Sequence, residues 1–219
     1  MGLTLELVGI SKSYNGNQVI RDCSYTFPAG GSYTVMGPNG CGKSTLFRIA
    51  ALLEEPDWGE VRYRRGTTPL APDINLRRQI TMVFPRVGVF NRSVFANVAY
   101  GLKLRGDNRK LRQERVIEVL SQVGLAHKAH QQATTLSSGE TMRLGMARAL
   151  VLDPEVLFLD EPTAHIDNAN TEIIEACIHQ IQQERVLTLF IITHDPAQAR
   201  RLGGQRLLLQ EGNLTVWEG

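Results

Sequence analysis

Residues Ser32-Tyr33-Thr34-Val35-Met36 form an apolar, strand-like run. It breaks directly into Gly37-Pro38-Asn39-Gly40-Cys41-Gly42-Lys43-Ser44-Thr45, and from Thr45 to Leu53 the chain reads as a helix. A strand, a glycine-rich loop and a helix in that order constrain the fold more than any other feature here. The glycines allow a tight loop whose backbone N–H groups all point at one anion. The helix that follows adds the positive end of its dipole at the same place. The spacing G-x-x-x-x-G-K-S identifies the anion as a nucleotide phosphate chain. Lys43 is placed to reach the β- and γ-phosphates, and Ser44 to put its hydroxyl on Mg²⁺.

The remaining pattern supplies the sheet that such a loop needs. Residues 3–8 alternate apolar and polar, Asn15-Gly16-Asn17 is a turn signal, and residues 19–27 resume the strand pattern. Pro28-Ala29-Gly30-Gly31 is a second turn. Pro56-Asp57-Trp58-Gly59 stops the first helix, residues 60–64 read as a short strand, and residues 81–84 as another. Residues 93 to about 133 carry helical spacing in two segments parted by Gly106-Asp107-Asn108, which predicts a helical subdomain inserted in an α/β core. Residues 138–152 read as a helix closed by Asp153-Pro154. Residues 156–159 and 187–193 are continuous apolar strands on either side of a helix from 168 to about 185. Apolar strands alternating with helices predict a parallel sheet covered on both faces. Residues 206–217 predict a hairpin turning at Glu211-Gly212-Asn213.

Composition narrows the partners. A length of 219 residues suits one ample core or a core plus a small subdomain, and a net charge of +2 gives no strong electrostatic case for nucleic acid as the main partner. No apolar run approaches the roughly 20 residues needed to cross a bilayer. The start, Met1-Gly2-Leu3-Thr4-Leu5-Glu6, has no basic or long apolar stretch, so no secretory leader is expected. Three scattered cysteines, Cys23, Cys41 and Cys177, predict reduced thiols. Cys41 reads as a small residue that fits its loop, with a redox brake as the alternative. His127 and His130 lack further ligands for zinc, and the basic run Lys103, Arg105, Arg109, Lys110, Arg112 and Arg115 reads as a solvated helix face.

A second half-site lies downstream. The strand at 156–159 ends in Asp160-Glu161. Carboxylates at the carboxyl end of a parallel strand face the crevice where ligands bind. Asp160 suits the second-sphere or direct Mg²⁺ position and Glu161 a general base that polarises the attacking water. The neighbouring strand ends in Thr193-His194-Asp195, where His194 could donate to a γ-phosphate oxygen.

Between these halves stands Leu136-Ser137-Ser138-Gly139-Glu140, ahead of a helix read as starting at Thr141, with Arg143 and Arg148 on it. With it, the chain resembles the nucleotide-binding subunit of an ABC transporter along essentially its whole length. The resemblance implies a P-loop NTPase core with a mainly parallel sheet, an N-terminal antiparallel β subdomain and an inserted α-helical subdomain. It implies one ABC ATPase domain over 1–219, with 1–84 and 156–219 as core and about 86–152 as the helical, signature-bearing part. The implied ligands are ATP and Mg²⁺. The loop residues Gly37, Pro38, Asn39, Gly40, Cys41, Gly42, Lys43, Ser44 and Thr45 would hold the phosphates, and Tyr14 would stack on adenine. Ser44 and Asp160 would hold the metal, and Glu161, His194 and Lys43 would be catalytic. Ala164-His165-Ile166-Asp167 corresponds to the family's D-loop. In that family two copies pack head to tail, so Ser137, Ser138, Gly139 and Glu140 would act on the ATP held by a partner copy.

The implied partners are a second copy on ATP binding, a separate transmembrane permease and, indirectly, a solute-binding protein, with no direct nucleic-acid contact. The implied location is cytoplasmic, on the inner face of the membrane. Residues 89–106 look most like oxyanion importers, tungstate in particular. The alternatives are an exporter subunit or a soluble ABC ATPase working on nucleic acid or the ribosome, and a little-hydrolysing switch is a further one. The chain departs from the family at Pro85, where a glutamine normally reaches Mg²⁺ and the attacking water. Proline offers neither group, so slower hydrolysis is expected, or a loop stiffened toward its partner. Ser138 and Glu140 replace the more common glycine and glutamine of the signature.

Overall fold

Two turns show how local chemistry fixes the sheets. Asn15 (φ 50°) and Gly16 (φ 81°), and again Glu211 (φ 51°) and Gly212 (φ 83°), place two consecutive residues at positive φ. That is the backbone of a two-residue hairpin loop whose twist matches its flanking strands. The computed structural model describes residues 2–217. Met1 and the last two positions of the 1–219 domain reading lie outside the described residues.

In chain order the elements are β1 (Leu3–Tyr14), β2 (Asn17–Phe27), β3 (Ser32–Met36), α1 (Lys43–Ala50), β4 (Trp58–Arg65), β5 (Thr68–Leu70), α2 (Ile74–Arg77) and β6 (Ile80–Val83). There follow α3 (Val94–Arg105), α4 (Arg109–Gln122), α5 (Ser138–Leu150), β7 (Val156–Asp160), α6 (Asn168–Glu184), β8 (Thr188–Ile192), α7 (Pro196–Leu202), β9 (Gln205–Gln210) and β10 (Asn213–Val216). The described residues fall into two compact units. One lies within Met1–Met82, Glu155–Glu161 and Arg185–Gly219, the other within Val83–Pro154 and Pro162–Glu184.

The first unit holds two sheets. One is antiparallel, in the order β2-β1-β4-β5, with Leu3, Leu5 and Leu7 buried on its inner face as the alternation requires. The other has the order β10-β9-β3-β8-β7-β6, and β9, β3, β8 and β7 run parallel. Every residue of β7 and β8 is buried. An aromatic column ties the layers together. Phe158 of β7 stacks on Phe190 of β8 at 4.6 Å, and Phe47 of α1 meets Phe158 edge-on at 5.1 Å. Each such ring contributes about 3–5 kcal/mol against truncation to alanine. The column therefore fixes α1 on β7, and with it the loop before α1 and the acids at the end of β7.

The second unit is helical. Ser93 caps α3 and Asn108 caps α4, and Gly106 (φ 84°) ends α3 between them. Asn97, 1% exposed, donates to the carbonyls of Phe90, Arg92 and Ser93 and accepts from the Phe90 N–H. It thereby pins the loop in front of α3.

The structure differs from the sequence reading in places. The helical stretch stops at Gln122 rather than near 133, because Gly124 takes φ 69° and only two short 3₁₀ turns follow. The signature helix starts at Ser138, as the 138–152 reading has it and three residues before the Thr141 also read as its start, because Ser137 is its N-cap. Three short elements, β5, α2 and α7, were not anticipated.

Candidate functional site

The glycine-rich loop delivers its helix uncapped. Gly42 is the N-cap of α1 at φ 102°, with no side-chain hydrogen bond to the first turn. A Cβ at Gly42 would lie 2.8 Å from Ile20 Cδ1 and 2.9 Å from the Val19 carbonyl oxygen, so only glycine fits. The first turn's N–H groups thus lack a side-chain acceptor, and an anion bound at this helix start would supply one. The Lys43 stem is buried, and its Nζ donates to the Gly37 and Pro38 carbonyls at 2.9 and 3.0 Å. The ammonium therefore braces the loop across its mouth.

The carboxylate strand meets this loop directly. Ser44 Oγ donates to Asp160 Oδ1 at 3.0 Å. The contact follows from packing: Ser44 lies three residues before Phe47, and Asp160 two after Phe158, the pair joined edge-on. Asp160 is 3% exposed, and burial pushes its pKa up against the opposing Ser44 hydrogen bond. A buried carboxylate paired with a hydroxyl, with a second carboxylate next in sequence, is a hard oxygen donor set. It fits a magnesium ion, whose charge would offset the burial of Asp160.

Glu161 takes φ 47°, and its N–H donates to the Ile192 carbonyl at 3.2 Å. That turn sends its carboxylate across to β8, where Oε2 lies 3.5 Å from His194 Nδ1. Sequence-distant acid and imidazole therefore meet at two adjacent strand ends. A cleft of about 410 Å³ is lined by Gly37, Pro38, Asn39 and His194, and by Trp217 on the C-terminal side. Cys41 is a free thiol within the loop.

Tyr14 ends β1 and is 38% exposed. Its hydroxyl donates to Glu54 Oε1 and accepts from Arg48 Nη2 at 3.2 Å. The Lys12 ammonium lies over its ring, 5.7 Å from the centroid. Arg48 and Glu54 escaped the sequence reading. The available signal was Arg48 one helical turn beyond Thr45.

The signature belongs to the helical unit. Ser137 Oγ accepts from the Glu140 N–H at 3.3 Å, and Glu140 Oε2 accepts from the Ser137 N–H at 3.0 Å, a closed capping box. Lys128 Nζ pairs with the other Glu140 oxygen at 2.6 Å. Ser138, Gly139 and Glu140 thus form the first turn of α5. A Cβ at Gly139 would sit 2.6 Å from the Asn170 side chain, so this glycine lets α6 approach α5. Asn170 is itself held by Asp167 through two hydrogen bonds of 2.9 Å. His165, nearby in sequence, takes φ 61°. Pro85 is exposed just after β6.

The chain is similar to known proteins. The family model described as ABC transporter matches residues 20–164. The tungstate uptake system ATP-binding protein TupC of Peptoclostridium acidaminophilum is 38% identical over 99% of this chain and 99% of its own. Phosphate import ATP-binding protein PstB 2 of Natronomonas pharaonis is 37% identical over 96% of this chain and 78% of its own. Among solved structures, cbiO1 of Clostridium perfringens, described as part of the ABC transporter complex cbiONQ, superposes with a TM-score of 0.86. It is 26% identical over 98% of this chain and 88% of its own. The chain, with its α/β fold and its paired phosphate-loop and carboxylate motifs, belongs to the ABC transporter family as an ATP-hydrolysing subunit.

Proposed function

We propose that this chain is the ATPase of an importer that takes up tungstate or a related oxyanion. The observation that carries the catalytic reading is the 3.0 Å contact of Ser44 with Asp160, which makes the phosphate loop and the acidic strand end one site. Ser44 and Asp160 would hold Mg²⁺, which when bound neutralises charge on the phosphate oxygens. The backbone of residues 37–45 and the Lys43 ammonium bind the triphosphate, and Tyr14 stacks on the adenine. Glu161 accepts a proton from the attacking water. His194, 3.5 Å from that carboxylate, orients it and donates to the γ-phosphate. The solute assignment is supported by the near full-length similarity to a tungstate uptake subunit.

A homodimer completes the site, with the start of α5 in one copy meeting the ATP held by the other. The permease is a separate polypeptide, a reading supported by the similarity to an uptake-system ATP-binding protein and to a component of a multi-subunit transporter complex. It docks on the helical unit, where Phe84, Phe90 and Tyr100 are exposed and Arg148 lies over the Phe90 ring. Delivery by a solute-binding protein and a position on the inner membrane face complete the proposed assembly.

The test is Glu161→Gln, loaded with ATP and mixed with detergent-solubilised host membranes. Turnover should fall about a thousandfold, the loss of a general base. The protein should elute as a dimer and retain a polytopic membrane protein. A monomer overturns the shared site, and recovery of nucleic acid overturns the transport reading. On the same reading Pro85 slows hydrolysis. Pro85→Gln should raise kcat several-fold (on the order of 1 kcal/mol), and an unchanged or lower kcat counts against it.

A further inference from the structure

The end of β1, the helix α1 and the segment after it are joined by polar contacts that the reading above does not use. One guanidinium nitrogen, Arg48 Nη2, donates to the Tyr14 hydroxyl at 3.2 Å and to Thr45 Oγ1 at 3.1 Å. Arg48 Nε donates to Glu54 Oε2 at 2.9 Å, and the Tyr14 hydroxyl donates to the other oxygen of the same carboxylate. Burial pushes the Glu54 carboxyl upward. The Tyr14 and Arg48 hydrogen bonds outweigh it and hold the group below its ordinary range, so it stays ionised. The segment that presents Glu54 is itself anchored. Leu52 turns the chain at φ 59°, and the Leu53 and Glu54 N–H groups both donate to the Arg48 carbonyl. Asp57 then accepts from the Ser13 N–H at 2.7 Å and from Lys12 Nζ at 3.0 Å.

We propose that Arg48 and Glu54 are positioning residues that lock the Tyr14 ring at a fixed distance from the phosphate loop, presetting the span between the base and the phosphates of a bound nucleoside triphosphate. The proposal rests on the reading of Tyr14 as the base contact. Tyr14 stands at the mouth of a hairpin turn, more than a third exposed, where a tyrosine tethered only at its Cβ would be free to change rotamer. A ring fixed at its hydroxyl end, with the Lys12 ammonium over it, presents its free face to a base without losing that freedom on binding. The far end of the tether is Thr45, the last residue of the phosphate loop. The base platform and the phosphate cradle therefore share one guanidinium.

The experiment is calorimetric titration of the full chain with magnesium ATP and, separately, with magnesium tripolyphosphate, which has no base. Tyr14→Phe keeps the ring and removes the tether, Glu54→Ala removes its acceptor, and Tyr14→Ala removes the ring. Tyr14→Phe and Glu54→Ala should each weaken ATP binding roughly three- to tenfold, the freezing of one side chain, while tripolyphosphate binds as in the wild type. The double variant should be no weaker than the worse single one, because both break the same link. Tyr14→Ala should weaken ATP binding further. If Tyr14→Ala binds ATP normally, Tyr14 is not the base contact and the underlying reading fails. If Tyr14→Ala weakens binding but Tyr14→Phe and Glu54→Ala do not, the lock alone is refuted. Parallel loss of ATP and tripolyphosphate affinity also refutes it, because the residues then merely support the loop.

Discussion

Helices α1 and α5 both begin where the site reading puts a phosphate, and they begin in opposite ways. The α1 start is capped by a glycine at φ 102°, with no side-chain acceptor and no acid in its first turn. The α5 start is closed by Ser137 and Glu140, each satisfying the other's backbone N–H, with Lys128 on the remaining carboxylate oxygen. An open helix start has no side-chain acceptor until an anion arrives, whereas a capping box satisfies the N-cap and N3 N–H groups and leaves those of N1 and N2. On the proposed reading the two starts act in order. The α1 loop would capture a triphosphate within one chain, and the α5 start would contribute its remaining N–H groups only when another copy brings the anion to it.

The larger expected effect lies at the open start. Lys43→Ala removes the one ammonium of the loop and leaves Gly42 as the cap. ATP affinity should fall about a hundredfold, in line with roughly 1.5–3 kcal/mol for a charge-assisted contact. Titration calorimetry of the isolated chain reads this directly. Lys43 also braces the Gly37 and Pro38 carbonyls, so the ligand-free melting temperature should be recorded alongside. Unchanged ATP affinity would place the two helix starts on an equal footing and break the comparison.

The same contrast marks what could be read in the chain. The strand-end placement of the loop at Gly37–Thr45, of Asp160 and Glu161, and of His194 was legible because each stands within a short window of contiguous residues. The hairpin turns were legible because Asn-Gly and Glu-Gly-Asn carry backbone demands of their own. The contacts of Tyr14 were not, because its partners Arg48 and Glu54 lie 34 and 40 residues away and only folding brings them together. Asn97 was missed because a buried asparagine serving three carbonyls has no period to betray it. Gly139 was read only as part of the signature, and the structure adds a packing reason, the close approach of Asn170. The first residues of α7 were readable in principle, since Asp195 followed by Pro196 is a helix start signal.

The smaller effect lies at the closed start, and its sign with pH is fixed. Glu140→Ala removes one half of the capping box and the partner of Lys128. At neutral pH it should cost about 1 kcal/mol, a typical cap contribution. The Lys128 ion pair and the Ser137 N–H hold the Glu140 carboxyl below its ordinary 4.5. A depressed carboxylate stabilises the fold above its unfolded value, and the benefit is lost as pH falls through the folded value. The melting difference between wild type and Glu140→Ala should therefore stay constant from pH 7 down to about 5.5. It should shrink below 4.5 and vanish once Glu140 is protonated in the folded chain. A difference that grows on acidification, or no difference at pH 7, would show that α5 is not closed by Glu140. Its start would then be as open to anions as that of α1, and the order of events would lose its basis.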